Sequence, residues 1–380
     1  MQEQIFTNAK IVLSDEIVSG TLCVRQGKIH DISGRNSSLS KAHDLDEDLL
    51  LPGLVELHTD NLEKHMTPRP KTEWPSVAAV VSHDNQIASA GITTVFDAIA
   101  VGDVNEGSTR VKRLEEMVGS LVHANKENLL RADHLLHLRC EVSYADMAPA
   151  LDSLANNQLV RMLSVMDHTP GQRQFVSLEA YYIYYQGKYG LNDGEMERFI
   201  TERKRDQERY SINNRKHVVS TAHNKGFALA SHDDATETHV KEAVSDGMTV
   251  AEFPTTLEAA KSSHDSGLAV MMGGPNMVRG KSHSGNISAG ELAREGFLDI
   301  ISSDYVPHSL LHAAMILYED FDNYDLPSAI RTVTKTPADR VGLTDRGEIS
   351  LGKRADLIHV HHSHYHPIIK GVWREGNRVS

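Results

Sequence analysis

A histidine and a carboxylate two residues apart close a short apolar run at Leu54-Val55-Glu56-Leu57-His58-Thr59-Asp60. Residues i and i+2 of a strand share a face, so His58 and Asp60 aim at one point just past a strand end. Imidazole nitrogen and carboxylate oxygen both ligate zinc-like divalent ions, and a metal held there would suggest a hydrolase. One His-x-Asp pair in a chain with 22 histidines decides nothing by itself. Other apolar runs, however, end in the same residue types. Glu141 closes Leu135 to Cys140, His168 follows Val165-Met166-Asp167, His232 follows Ala230-Ser231, and Asp304 follows Ser302-Ser303. Strand ends become polar wherever a chain meets solvent, but this mix of His, Glu and Asp favours a shared site.

The elements that must position these residues alternate. Strands are expected at Leu54–His58, Ile92–Asp97, His134–Glu141, Arg161–Asp167, Phe227–Ser231, Thr249–Glu252, Leu268–Met272 and Leu298–Ser303, with mostly helical segments between them, among them Ser211–Lys225 and Glu237–Ser245. Eight short apolar strands separated by helices predict an α/β fold, a (β/α)8 TIM-like barrel, whose chemistry sits at the carboxyl ends of the strands. Residues 1–50 and 345–380 read instead as short strands and turns, and predict a small β-sandwich domain made from both termini; the barrel then spans 51–344. Residues 171–215 form an insertion after the fourth strand. Its Tyr181-Tyr182-Ile183-Tyr184-Tyr185 run reads as packing or oligomer contacts, and its Met196–Asp206 stretch as a solvated charged helix; the insertion is also compatible with a lid over the barrel mouth.

Composition narrows the function. The 380 residues carry a formal net charge of −13, with no basic stripe, which disfavours nucleic acid and membrane surfaces as partners. Cys23 and Cys140 are too far apart to suggest a disulfide framework. The N-terminal residues lack the pattern of a signal peptide, and no apolar run reaches membrane-spanning length; the expected location is cytoplasmic.

Together Leu51-Pro52-Gly53-Leu54-Val55-Glu56-Leu57-His58-Thr59-Asp60, Gly91-Ile92-Thr93-Thr94-Val95, Ser302-Ser303-Asp304 and Gly352-Lys353-Arg354-Ala355-Asp356-Leu357 resemble the amidohydrolase superfamily over nearly the whole chain. The resemblance implies a metal-dependent barrel carrying a small β domain from both chain ends. It also implies a metal-ligand set, carried onto His58, Asp60, Glu141 as the bridging carboxylate, His168, His232 and Asp304. The family pattern has His-x-His where this chain has His58-Thr59-Asp60, and no lysine stands at the Glu141 strand end, so a carbamylated lysine is not expected. Three carboxylates and three histidines suit two divalent ions, zinc first, with manganese and iron also compatible. Asp304 is then the catalytic base for a metal-activated water.

A narrower resemblance, to the diphosphatases of phosphonate metabolism in the carbon–phosphorus lyase pathway, rests on three further stretches. They are His58 through Pro70, Ala251-Glu252-Phe253-Pro254-Thr255-Thr256, and Met272 through Gly280 with Ser282-His283-Ser284-Gly285-Asn286. It implies hydrolysis of α-D-ribose 1-methylphosphonate 5-triphosphate to the 5-phosphate and pyrophosphate. The expected partner is a small phosphorylated substrate; a homo-oligomer and association with other phosphonate-pathway proteins are compatible with it. Two groups of residues suit phosphate binding: Lys64, His65 and Arg69 after the first strand, and Asn276, Arg279, Lys281 and His283 after the seventh. Glu63 and Glu252 remain open between ligand, supporting acid and ribose-hydroxyl acceptor. The rival readings are a C–N hydrolase (a deacetylase or cyclic amidase) and a non-catalytic scaffold of the same fold.

Overall fold

The computed structural model describes residues 3–69, 71–103, 109–173, 181–182, 185–187, 190–282, 285–363 and 366–380. His283 and parts of the insertion, including Ile183 and Tyr184, lie outside them.

Two sheets organise the chain. The first takes β1 (Gln4–Val12), β2 (Ile17–Arg25), β3 (Lys28–Ser33), β4 (His43–Asp44) and β5 (Leu49–Pro52) from the N-terminal part. The second is a barrel of β6 (Leu54–Thr59), β7 (Ile92–Val101), β8 (Asp133–Glu141), β9 (Val160–Met166), β10 (Ala228–His232), β11 (Val250–Glu252), β12 (Ala269–Gly273) and β13 (Ile300–Ser302). The first sheet is completed by β14 (Leu357–His362), β15 (Pro367–Arg374) and β16 (Asn377–Arg378). Its order is β16-β15-β14-β5-β1-β2-β3, with β4 beside β1.

The terminal sheet is one mixed sheet. Antiparallel pairing of β5 with β14, Leu51 opposite Ile358, joins the two ends of the chain. Phe6, Ile11, Leu22, Leu50, Leu357 and Trp373 form its core. Asp48 adds a polar clasp: it binds His359 Nε2 at 2.9 Å and His361 Nδ1 at 2.8 Å. Because β5 runs through Pro52, this sheet ends two residues beyond the expected boundary. Gly53 then turns the chain into the barrel. A Cβ there would lie 2.3 Å from Thr93 Oγ1 and 3.0 Å from Asp356 Cβ, so only glycine lets the two sheets approach this closely.

The eight barrel strands are parallel neighbours in chain order. A parallel bridge between Thr59 and Asp304 lies at the seam where β13 returns to β6. Val55, Leu57, Phe96, Met162, Val250, Met271 and Ile300 fill the interior; fully burying such a side chain contributes about 1.5–3 kcal/mol. All eight strands fall within a few residues of expectation. The largest difference is β7, which continues through Ala98-Ile99-Ala100-Val101 although Asp97 reads as a polar strand end. Asp97 is buried and satisfied by two imidazoles, His83 Nε2 at 2.7 Å and His134 Nδ1 at 2.7 Å, so the strand does not need to reach solvent there.

The insertion also differs. The charged segment and Ser211–Lys225 are one helix, Asp193–Lys225, of 33 residues. Asn192 and Glu195 form a reciprocal capping box at its start, and Gly226 ends it at φ 69°. Residue 215 is therefore no boundary. Asn214 fastens the middle of the helix to the barrel, donating to Val142 O at 3.0 Å and Tyr144 O at 2.8 Å.

Candidate metal centre

The barrel's seam holds two acidic residues together. Asp304 N donates to His58 O at 3.0 Å, while Asp304 O accepts from Asp60 N at 3.2 Å and Thr59 Oγ1 at 2.7 Å. Below them Glu56 accepts from His58 N at 2.6 Å and Ser303 N at 2.5 Å, joining β6 to β13 where few ladder bonds do. Burial pushes the Glu56 carboxyl up to about 8. The backbone is strained around the mouth: Asp233, Phe253 and Asp304, at the carboxyl ends of β10, β11 and β13, have φ of 57°, 53° and 53°. For phenylalanine this is a true outlier, and such strain concentrates at functional sites. The Phe253 ring stands edge-on to His58 and His232, centroids 4.9 and 5.5 Å away, and walls both histidines.

All six residues expected as ligands, His58, Asp60, Glu141, His168, His232 and Asp304, line one cleft of about 220 Å3 at this mouth. Ligand atoms of His58, His232 and Glu252 lie within 4.8 Å of one another, as do those of His168, His232 and Asp233. Glu141 Oε2 is 2.7 Å from His168 Nδ1, and its other oxygen accepts from Ser143 Oγ at 2.6 Å. Glu252, fully buried, takes His58 Nδ1 on one oxygen at 3.3 Å and His232 Nδ1 on the other at 3.0 Å. One carboxylate thereby sets two imidazoles and turns their Nε2 atoms away from itself, the arrangement by which an outer carboxylate orients ligand histidines.

The electrostatics describe a cavity that needs cations. Burial drives the Asp304 carboxyl up to about 7, and the charge of Asp60 adds to this, against Arg139 and Lys64. Burial likewise drives Asp233 up to about 7 against the pull of His168 and Arg139. Burial holds His232 well below the ordinary histidine value, Arg139 helping and Glu252 opposing. Asp233 Oδ2 is buried and has no hydrogen-bond partner among the described residues. An orphaned carboxylate oxygen beside imidazole nitrogens and further carboxylates is a donor set that fits divalent cations with mixed nitrogen and oxygen ligation.

The expected phosphate-binding groups divide. Asn276, Arg279 and Lys281 line the cleft, with Arg279 and Lys281 exposed at its rim. Lys64, His65 and Arg69 do not line it. The helix α1 (Asn61–Met66) and the turn after it carry them off: Lys64 Nζ donates to Tyr305 O, His65 Nε2 lies 3.0 Å from Gln86 Oε1, and Arg69 is exposed in a turn with Thr72. Lys64 still sits 4.9 Å above the ring of Tyr305, itself a lining residue. Sequence reasoning missed Arg139 and Asp233, both in the cleft lining. The signal for Arg139 was the strand period, since His137, Arg139 and Glu141 alternate on one face of β8. Asp233 owes its position to a left-handed backbone that sequence does not show.

The Glu252 arrangement has a measurable consequence. In Glu252→Gln one of the two imidazole N–H groups meets an amide N–H2 in place of an acceptor. Divalent-ion affinity, measured by chelator competition, is expected to fall about 10–100-fold, and an unchanged affinity would remove Glu252 from the support of the site.

Comparison with known proteins agrees with this architecture. Residues 85–379 match the amidohydrolase family, and the chain belongs to it. Over 376 residues, 99% of this chain and 100% of the relative, it is 48% identical to the alpha-D-ribose 1-methylphosphonate 5-triphosphate diphosphatase of Escherichia coli strain K12. Solved structures share the fold at much lower identity. The 5-methylcytosine deaminase of Klebsiella pneumoniae superposes with TM-score 0.67 at 14% identity, covering 99% of this chain and 97% of that one. N-isopropylammelide isopropylaminohydrolase of Burkholderia multivorans gives 0.66 at 15%, with 100% and 98% covered. N-acetylglucosamine-6-phosphate deacetylase of Pasteurella multocida gives 0.63 at 13%, with 99% of each chain covered.

Proposed function

We propose that this chain is a metal-dependent diphosphatase that hydrolyses α-D-ribose 1-methylphosphonate 5-triphosphate to the 5-phosphate and pyrophosphate, in phosphonate catabolism. The observation that carries the reading is the 48% identity, over the full length of both proteins, to a relative bearing that activity in its name. The cleft supports it chemically: a floor of carboxylates and imidazoles below two exposed cations, Arg279 and Lys281. That pairing suits a polyphosphate better than a neutral amide.

His58, Asp60, Glu141, His168, His232 and Asp304, with Asp233 beside them, would hold two divalent ions, zinc first among the candidates. Such ions supply Lewis-acid charge and an acidified water when bound. Asp304 takes the proton of the attacking water, whose oxygen bonds to the phosphorus nearest the ribose. The bond from that phosphorus to the next bridging oxygen breaks, and that oxygen leaves with pyrophosphate. Arg279 and Lys281 bind the departing phosphates at the rim, Asn276 stands next to them, and Glu252 keeps His58 and His232 in place. Lys64, His65 and Arg69, which do not line the cleft, are assigned to outer contacts with the anionic substrate; His283, expected to bind it as well, lies outside the described residues. Among the described residues no helix is long and apolar enough to cross a membrane, and we place the enzyme in the cytoplasm.

Phosphorus NMR of the product mixture tests the reading. The expected result is pyrophosphate and the 5-phosphate appearing together from the metal-loaded protein. Stepwise release of inorganic phosphate, or turnover confined to a panel of amides, would overturn it.

A further inference from the structure

Arg139 is a buried cation that the site described so far leaves without work. It projects from β8 on the same face as Glu141, two residues lower, and is only 8% exposed. Buried arginines are ordinarily paired with carboxylates, yet this guanidinium makes no ion pair among the described residues. Its contact with His232 is a loose one, 3.5 Å from one terminal nitrogen to Nε2, and its Nε has no hydrogen-bond partner among the described residues. The group nevertheless reaches the cleft and lines it. Its charge bears on Asp304, Asp233, Glu252, His168 and His232 alike, which places it centrally among them. Arg279 and Lys281 differ: they are exposed at the rim.

We propose that Arg139 is a catalytic residue for phosphoryl transfer, its free N–H groups donating to non-bridging oxygens of the phosphorus under attack. A planar guanidinium fork matches two such oxygens. Buried, and so already desolvated by the fold, it gains most when charge builds on those oxygens in the transition state. The rim cations bind the outer phosphates in the ground state; Arg139 acts at the atom where bonds change. This role rests on the phosphoanhydride reading above.

The two ideas fail differently. Arg139→Met and Arg139→Lys are compared with the wild-type protein on the ribose triphosphate, with divalent-ion content and thermal midpoint measured for all three. The expected result is a kcat lowered about 10²–10³-fold in Arg139→Met with KM within a few-fold. Arg139→Lys, which keeps the charge and loses the fork, recovers only part of the rate. Bound metal and thermal midpoint stay close to wild type, and added guanidinium ion restores part of the Arg139→Met rate. A rise in KM with kcat intact, loss of metal, or full rescue by lysine would each overturn the proposal while leaving the diphosphatase reading standing. Absence of triphosphate turnover in the wild-type protein would strike that reading instead.

Discussion

Asp304→Asn is expected to lower kcat by at least about 10³-fold, within the range a positioned general base supplies, while the protein folds normally and keeps most of its bound metal. The choice of asparagine matters. Asp304 sits at φ 53°, a conformation that asparagine tolerates and most other side chains do not. The backbone bonds that close the barrel, Asp304 N to His58 O and Asp60 N to Asp304 O, do not involve the side chain. The amide retains an oxygen donor but loses the negative charge and the ability to take a proton. Rate and metal content therefore separate. The variant also tests the cost of the site: the Asp304 carboxyl is raised to about 7, first by burial and then by Asp60. A carboxyl raised by folding favours the protonated form, so its contribution is lost as pH climbs from the unfolded value near 4 through 7. Metal-free wild-type protein should lose thermal midpoint across that range, and metal-free Asp304→Asn should lose less. Calorimetry at several pH values reads this directly; activity within tenfold of wild type would remove Asp304 from the role of base.

The second large effect is on stability. Asp97→Asn is expected to destabilise the fold by about 3–5 kcal/mol, the usual result of removing one partner from a buried ion pair. Asp97, His83, His134 and Asp84 are all at most 1% exposed. Asn61 donates to His83 Nδ1 at 3.0 Å, which directs the other nitrogen of His83 to Asp97 Oδ1 at 2.7 Å. His134 spans Asp97 Oδ2 at 2.7 Å and Asp84 Oδ1 at 3.3 Å, and Asp84 accepts from Arg131 N and Ala132 N at 2.8 and 3.0 Å. An amide in place of Asp97 sets N–H against N–H on one side and strips a counter-charge from His134. Burial alone would lower His134, but Asp97 and Asp84 lift it to about 9. Burial alone would raise Asp97, but His134 and His83 hold it near 2.

The signs follow. The raised histidine contributes fully below its unfolded value near 6.5 and loses its contribution as pH rises through 9. The depressed aspartate contributes above about 4 and loses as pH falls through 2. Wild-type thermal midpoint should therefore decline between pH 6.5 and 9.5, and that alkaline decline should be weaker in Asp97→Asn. A denaturant-unfolding difference under 1 kcal/mol would show that the network holds little. Because the chain of bonds runs through Asn61, beside Asp60, weakened metal binding is expected to accompany the loss of stability.

This network shows where reading a sequence stops. Asp97 in Ile92–Val101 is a charged residue in an apolar run, and charge alone places it at a strand end. What keeps it inside are His83 and His134, 14 and 37 residues away, and no local pattern reports partners at that distance. The 33-residue helix divides in the sequence for a similar reason. Its middle has no apolar stripe, and the side chain that fixes it, Asn214, works through carbonyls of a remote loop.

The eight strands, the barrel, the shared terminal sheet and the six residues at the strand ends were legible because each depends on short-range order. Apolar runs, turn residues and an alternation of period two are written in consecutive positions. Parallel strands of a closed barrel then bring every carboxyl end to one rim. Only the tertiary structure decided which of the polar residues meet. It brought Glu252 between His58 and His232, seated Arg139 and Asp233 in the cleft, and let α1 and the turn after it carry Lys64, His65 and Arg69 off its lining. Those outcomes turn on helix direction, left-handed backbone at Asp233, Phe253 and Asp304, and strand register. Each is a consequence of packing between distant segments, so composition and spacing along the chain do not encode it locally.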